Sequence, residues 1–371
     1  MIFLLLLICV SFLAYSNGAN DNFKGVATLF GSKTIDFNKA LIWATITTLL
    51  GSICSIFLAR GLLKNFSGKG LVPDELLLNP NFAIAIALGA AITVFIATKI
   101  GMPISTTHAL VGSLFGVGII AVGAAFNFQK LVDSFVIPLL ASPIISAMLA
   151  VILYFIFSKY RKVLGLTKKS CICVTENSTT LSSCNNFEAT LTTERNLEIT
   201  NCKTNTESYE NAILGISSQK IVDTFHFITA GTVGFARGLN DTPKIAGILL
   251  IIGTVNTNWF LILVTIIMAV GGVLNAKKVA KTISKKITPM NSGQGFTANF
   301  VTSILVLLAS VFSLPVSTTH VSVGSIFGIG TINKTADKKM IIKIISSWIL
   351  TLPIAAVISA FIFYILKLIQ Q

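Results

Sequence analysis

This chain has little charge: charged residues make up 11% of its 371 positions, and only 14 residues are Asp or Glu. With 53% hydrophobic residues and a mean hydropathy of +0.83, there is too little polar side chain to cover a water-soluble globule. A bilayer is the natural solvent. Other absences narrow the class further. The sequence holds no Walker-type glycine loop, no cluster of metal ligands and no nucleophile set beside a base, so neither catalysis nor an ATP-driven pump is expected. Of the six cysteines, Cys9 and Cys54 sit in hydrophobic runs, while Cys171, Cys173, Cys184 and Cys202 share no zinc-type spacing. No cofactor is implied. The formal net charge is +14, but the Lys and Arg residues gather beside hydrophobic runs and not on one amphipathic face, which argues for membrane topology and against nucleic acid.

What the chain has is long apolar runs. They fall near residues 2–16, 40–59, 82–98, 103–125, 135–157, 221–236, 242–254, 257–275, 296–332 and 341–366. Many reach the roughly 18 to 20 residues that an α-helix needs to cross about 30 Å of hydrocarbon. Barrel strands would be shorter and would alternate polar with apolar residues, so an all-α polytopic protein is expected. Residues 1–16 look like the core of a signal peptide, yet they lack a basic start and run directly into Asn17-Gly-Ala-Asn-Asp; they read as part of a first span.

Two motifs occur twice. GANDNFKGVATLFGS starts at Gly18 and GLNDTPKIAGILL at Gly238, sharing G-x-N-D-x-x-K. PISTTHALVGSLFGVG starts at Pro103 and PVSTTHVSVGSIFGIG at Pro315, identical at most positions. The order is the same in both halves and the separations, 220 and 212 residues, are nearly equal. Two homologous halves follow, residues 1–158 and 221–371. Between them residues 159–220 are polar, rich in Thr, Asn and Ser, and read as a partly disordered linker.

Basic residues orient these halves. Lys159, Arg161, Lys162, Lys168 and Lys169 place the start of the linker in the cytoplasm, and Lys277 to Lys286 and Lys334 to Lys343 belong on that side too. Residues 296–332 lie between two cytoplasmic clusters, so they must enter and return as a hairpin broken at Pro315. Walking backwards from the linker, the matching hairpin at 82–125 opens to the outside, and both termini come out outside. The expected architecture is therefore two inverted-topology repeats, each with a discontinuous helix and a re-entrant helical hairpin, in a multi-pass plasma-membrane protein with a cytoplasmic linker.

The repeated motifs carry the chemistry. Pro103 and Pro315 are expected to open new half-helices at a first helical position, where a missing N–H costs nothing. The following backbone N–H groups and the hydroxyls of Ser105, Thr106, Thr107, Ser317, Thr318 and Thr319 would then form two donor-rich helix ends suited to an oxyanion. Ser and Thr also serve simply to join membrane helices, and repetition of the triplet is what favours the anion reading. Asn20-Asp21 and Asn240-Asp241 sit inside apolar stretches, where a carboxylate is costly and defaults to an ion pathway. Gly18 and Gly238 are expected to let the backbone unwind there, leaving carbonyls and Asp oxygens for a small cation. Proton exchange at each Asp, or a bridge to Lys24 or Lys244, are the alternatives. His108 and His320 suit a proton relay or a packed helix interface equally. Arg237, matched by Asn17 in the first half, could attract the anion or snorkel. Trp43, Trp259 and Trp348 read as interfacial anchors.

The paired G-x-N-D and P-[IV]-S-T-T-H motifs resemble the PiT family of inorganic phosphate transporters, which also includes sulfate permeases. The likeness covers both hydrophobic halves and leaves out the linker. It implies secondary active import of phosphate in symport with sodium or protons. Ser105, Thr106, Thr107, Ser317, Thr318, Thr319, Asn20 and Asn240 would hold phosphate, and Asp21 and Asp241 the coupling ion, with sodium as co-substrate in one version. Arg237 stands where many members have His, and the membrane-embedded glutamates of some members have no counterpart here. The implied partners are phosphate, sodium or protons and the lipid bilayer, with a homo-oligomer allowed. A sulfate permease of the same fold is the nearest alternative and an anion channel the next.

Overall fold

The computed structural model describes residues 2–163, 216–252, 257–286 and 290–370, together with five more strands of two or three residues inside 168–213. The linker thus lies for the most part outside the described residues, as do Cys171, Cys173, Cys184 and Cys202. The first half runs α1 (Ile2–Asp21), α2 (Ala27–Gly31), α3 (Phe37–Leu58), α4 (Arg60–Asn65), α5 (Asp74–Leu77), α6 (Pro80–Lys99), α7 (Thr106–Val122), α8 (Phe128–Leu131) and α9 (Ile137–Val163). The second runs α10 (Ser218–Ala246), a 3-10 turn (Gly247–Ile252), α11 (Thr257–Asn275), α12 (Lys277–Lys286), α13 (Ser292–Val311), α14 (Thr318–Ile332) and α15 (Lys338–Gln370). Among the described residues, eight helical segments are long and apolar enough to cross a membrane.

Side-chain size decides which face of each helix turns inward. On α3, Ile42, Ile46, Leu50, Ile53 and Phe57 recur at helical spacing and are exposed, the pattern of a lipid-facing stripe. Its other face is small and polar, with Ala44, Thr47, Thr48, Gly51, Ser52 and Ser55 packed on α10. Small residues let the backbones approach where lipid supplies no hydrophobic drive between helices. The closeness is extreme at a few points: a Cβ on Gly238 would stand 2.1 Å from the Thr48 carbonyl oxygen, and one on Gly18 would stand 1.9 Å from that of Met268.

These two contacts are counterparts, and the packing as a whole is exchanged between halves. α10 packs on α3 while α1 packs on α11; α1 also packs on α6, as α10 does on α13; α7 pairs with α15, as α14 does with α9. The first helix of each half is therefore wedged between its own half and the other. α1 from Ser16 to Asp21 and α10 from Ala236 to Ala246 are buried on every side, which places the Asn-Asp pairs at the centre of the molecule.

Two local expectations give way here. Gly18 and Gly238 lie inside helices and unwind nothing; their lack of a side chain serves the close crossings just described. α1 does break, but after Asp21, through a turn at residues 22–26. α10 continues through Asp241 and Pro243 as α-helix to Ala246 and only then tightens to 3-10, so the second half has no matching break. Pro243, inside the last turn of α10, forgoes the hydrogen bond to the Leu239 carbonyl without ending the helix.

Candidate anion site between the halves

The hairpin of α6 and α7 turns at residues 100–105, and that of α13 and α14 at 312–317. Pro103 and Pro315 are not first helical residues, as the sequence suggests, but stand two positions before the N-caps. Ser105 (φ −96°, ψ 113°) and Ser317 (φ −100°, ψ 118°) are the caps, each extended and each accepting the backbone N–H three residues on, from His108 at 3.1 Å and His320 at 3.3 Å. Serine outcompetes proline for the boundary because its oxygen satisfies an otherwise unpaired helix N–H. The extended residues between proline and cap leave the carbonyls of Ile104 and Val316 outside any helix and open to other donors.

The two tips meet. Thr107 Oγ1 donates to the Val316 carbonyl (3.3 Å) and Thr319 Oγ1 to the Ile104 carbonyl (2.9 Å), each crossing to the other half. The rings of His108 and His320 stand edge to face with centroids 4.4 Å apart, and their Nδ1 atoms lie 3.1 Å from the Trp348 carbonyl and 3.2 Å from that of Leu139. Trp348 stacks against His320 at 3.9 Å and is buried, so it is no interfacial anchor. Trp259 is exposed, while Trp43 donates to the Phe227 carbonyl at 3.0 Å.

Against the tips lie the ends of α1 and α10. Asn20 Nδ2 donates to Thr98 Oγ1 and to the Met102 carbonyl, both at 3.0 Å, and its Oδ1 accepts the Ile104 N–H at 3.2 Å. Asn240 mirrors it, donating to the Val316 carbonyl (3.2 Å) and accepting from Ser310 Oγ (3.3 Å). Both asparagines thus hold hairpin tips in place. The carboxylates sit beside them: Asp21 Oδ1 is 2.5 Å from Lys24 Nζ, and Asp241 Oδ1 is 3.6 Å from Lys244 Nζ.

Three residues that the sequence motifs left at the margin prove central. Lys24 and Lys244 are buried, each one turn beyond its Asp, a position visible in G-x-N-D-x-x-K but readable there only as a bridge. Asn17 is the third. Its Nδ2 lies within reach of both carboxylates, 3.3 Å from Asp21 Oδ2 and 3.4 Å from Asp241 Oδ2, and donates to Thr106 Oγ1 at 3.0 Å. Its Oδ1 accepts from Arg237 at 2.7 Å. Arg237 also donates to Asn22 Oδ1 (3.1 Å), while its Nε, 3.7 Å from Asp241 Oδ2, has no hydrogen-bond partner. Arg237 is buried rather than snorkelling.

Three cationic side chains therefore face two carboxylates in one buried cluster, flanked by two helix N-termini. With all five groups ionised the cluster carries one surplus positive charge, in surroundings where an uncompensated charge is strongly disfavoured. Thr106 Oγ1 donates to Asp21 Oδ2 at 3.4 Å, and its counterpart Thr318 is likewise buried. Arg237 Nε is thus a buried donor without a hydrogen-bond acceptor in a cluster with surplus positive charge.

A polytopic helical membrane protein with an enclosed, donor-rich centre is the class defined by this fold and site. The chain belongs to the phosphate transporter family, whose model matches residues 17–359. A protein named as a phosphate permease in Thermococcus kodakarensis is 29% identical over 99% of this chain and 98% of its own length. One named as a low-affinity inorganic phosphate transporter in Bacillus subtilis is 27% identical over 99% and 97%. A solved structure titled the sodium-dependent phosphate transporter superposes with a TM-score of 0.77 at 23% identity, covering 99% of both chains, and so shares the fold.

Proposed function

We propose that this chain imports inorganic phosphate across the plasma membrane by cation symport, with alternating access around a single anion site between the two hairpin tips. The observation that carries this is the surplus of donors and positive charge in the buried cluster of Asn17, Asp21, Lys24, Arg237, Asp241 and Lys244. Thr106 and Thr318, with the first N–H groups of α7 and α14, face the anion, while Thr107 and Thr319, whose hydroxyls donate to the Val316 and Ile104 carbonyls, hold the two tips together around it. Ser105 and Ser317 act as the caps of the two helix ends. Asn20 and Asn240 fix the tips. Asp21 and Asp241 supply acceptors, which favour phosphate over sulfate because a phosphate O–H can donate to a carboxylate and sulfate has none at neutral pH.

Alternating access follows from the exchanged packing. The first helix of each half is wedged between the two halves, and two oppositely oriented hairpins close the site from opposite sides, an arrangement for rocking one bundle against the other. A channel would need no such double closure. The division into repeats at residues 1–158 and 221–371, with a cytoplasmic linker and external termini, belongs to the same proposal.

The test is uptake of radiolabelled phosphate and sulfate into proteoliposomes, with sodium and proton gradients varied separately. Phosphate should accumulate above its equilibrium level under a cation gradient, and sulfate should not. Accumulation of sulfate in preference to phosphate, or equilibration that ignores both gradients, would overturn the reading.

A further inference from the structure

Each buried ammonium occupies the same kind of oxygen cage, assembled from both halves. Lys24 Nζ donates to Asp21 Oδ1 (2.5 Å), to the Ile104 carbonyl (2.8 Å) and to Thr319 Oγ1. Lys244 Nζ donates to the Val316 carbonyl (2.5 Å) and to Thr107 Oγ1 (2.9 Å), with Asp241 Oδ1 at 3.6 Å. Residue for residue the two sets correspond: one Asp from the lysine's own helix region, one carbonyl from the extended segment before a serine cap, and one threonine hydroxyl from the second tip position of the opposite hairpin. A carboxylate, a carbonyl and a hydroxyl are hard oxygen donors, the set that a small monovalent cation such as sodium would take. Here a covalently attached ammonium fills it, twice.

A sodium ion does not fit the Asp21 and Asp241 positions while the lysines are in place. It would have to share the same carboxylate oxygens and stand within a few ångströms of a second positive charge, with no third carboxylate grouped with them among the described residues to offset it; Arg237 already adds a third cation to the cluster. We propose that Lys24 and Lys244 are tethered cations holding the two coupling-ion positions of the anion site, so that phosphate transport by this chain requires no sodium. This rests on the reading of the site as one for phosphate, and it removes sodium from the two cations that symport allows. Each lysine touches both hairpins, so it also links the charge of the site to the contact between tips: withdrawing either ammonium opens a carbonyl, a hydroxyl and a carboxylate at once.

The experiment is phosphate uptake into proteoliposomes at a fixed pH gradient, with external sodium replaced by choline, for the unaltered protein and for Lys24→Asn and Lys244→Asn. The unaltered protein should keep its rate within about twofold when sodium is removed. Each asparagine variant should lose about tenfold or more in choline, and sodium should restore part of that loss, because the shorter amide leaves the oxygen cage open to a free cation. A tenfold fall of the unaltered protein in choline would overturn the proposal, as would variants that transport like the parent without sodium. Should either variant fail to fold, the unaltered protein's sodium response still decides. Absence of phosphate uptake by the parent in both media would instead strike at the phosphate reading itself.

Discussion

The two halves of this molecule agree where backbones touch and differ where charge is handled. Gly18 on Met268 and Gly238 on Thr48, Gly51 on Phe235 and Gly271 on Tyr15 are matched crossings in which a missing Cβ lets one helix rest on the carbonyls of another. The tips repeat the same cap geometry to within a few degrees. Yet Asn17 stands in the first half where Arg237 stands in the second, and α1 breaks where α10 continues. Packing is thus held twofold, while the site is free to be asymmetric. In the proposed site the amide of Asn17 and the guanidinium of Arg237 take the two corresponding places.

The largest effect expected from breaking that asymmetry is at Arg237. Arg237→Met leaves the Asn17 Oδ1 and Asn22 Oδ1 acceptors unpaired in a buried site, which should cost about 1–3 kcal/mol for each, and removes the surplus positive charge, which should abolish phosphate uptake. Thermal melting in detergent together with uptake would register both. A variant that melts and transports like the parent would mean that the guanidinium is not part of the site.

The matched crossings should respond as a pair. Gly18→Ala and Gly238→Ala each force a methyl into a backbone carbonyl, and each should lower stability by about 1–3 kcal/mol or more. Melting curves of the two variants should shift alike; a large loss in one and none in the other would break the equivalence of the halves. Smaller still is the effect at the caps. Ser105→Ala and Ser317→Ala each remove one N-cap acceptor and should cost about 1 kcal/mol apiece. Calorimetry would check that the two are equal.

Much of the fold was legible because membranes impose length and apolarity, and because the motifs repeat. The runs near 40–59, 82–98 and 257–275 fall on α3, α6 and α11. Less legible was why a residue is present. Gly18 and Gly238 look like points of unwinding from their own neighbours, but the carbonyl they accommodate belongs to a helix some 250 or 190 residues away in the chain. Pro103 and Pro315 mark the boundary correctly and miss its position, since the serine two residues on competes for the cap. Asn17 carries no motif, and its role arises only once α10 is laid across α1. The Ile104 and Val316 carbonyls are backbone groups, which no sequence pattern displays. The lysines were visible as partners for Asp21 and Asp241; their placement among oxygens of both hairpins was not.

The relation between the halves is most directly tested by sidedness. The short helix α5 carrying Glu75 and α12 carrying Lys281 occupy corresponding places, between α3 and α6 of the first half and between α11 and α13 of the second, and both residues are exposed. Single cysteines at Glu75→Cys and Lys281→Cys, in a chain whose six native cysteines are replaced by serine, can be labelled in intact cells with a membrane-impermeant maleimide. Inverted halves predict that the cysteine at position 75 reacts from outside and the one at position 281 only after the membrane is opened. Labelling of both from the same side would contradict two oppositely oriented halves sharing one anion site.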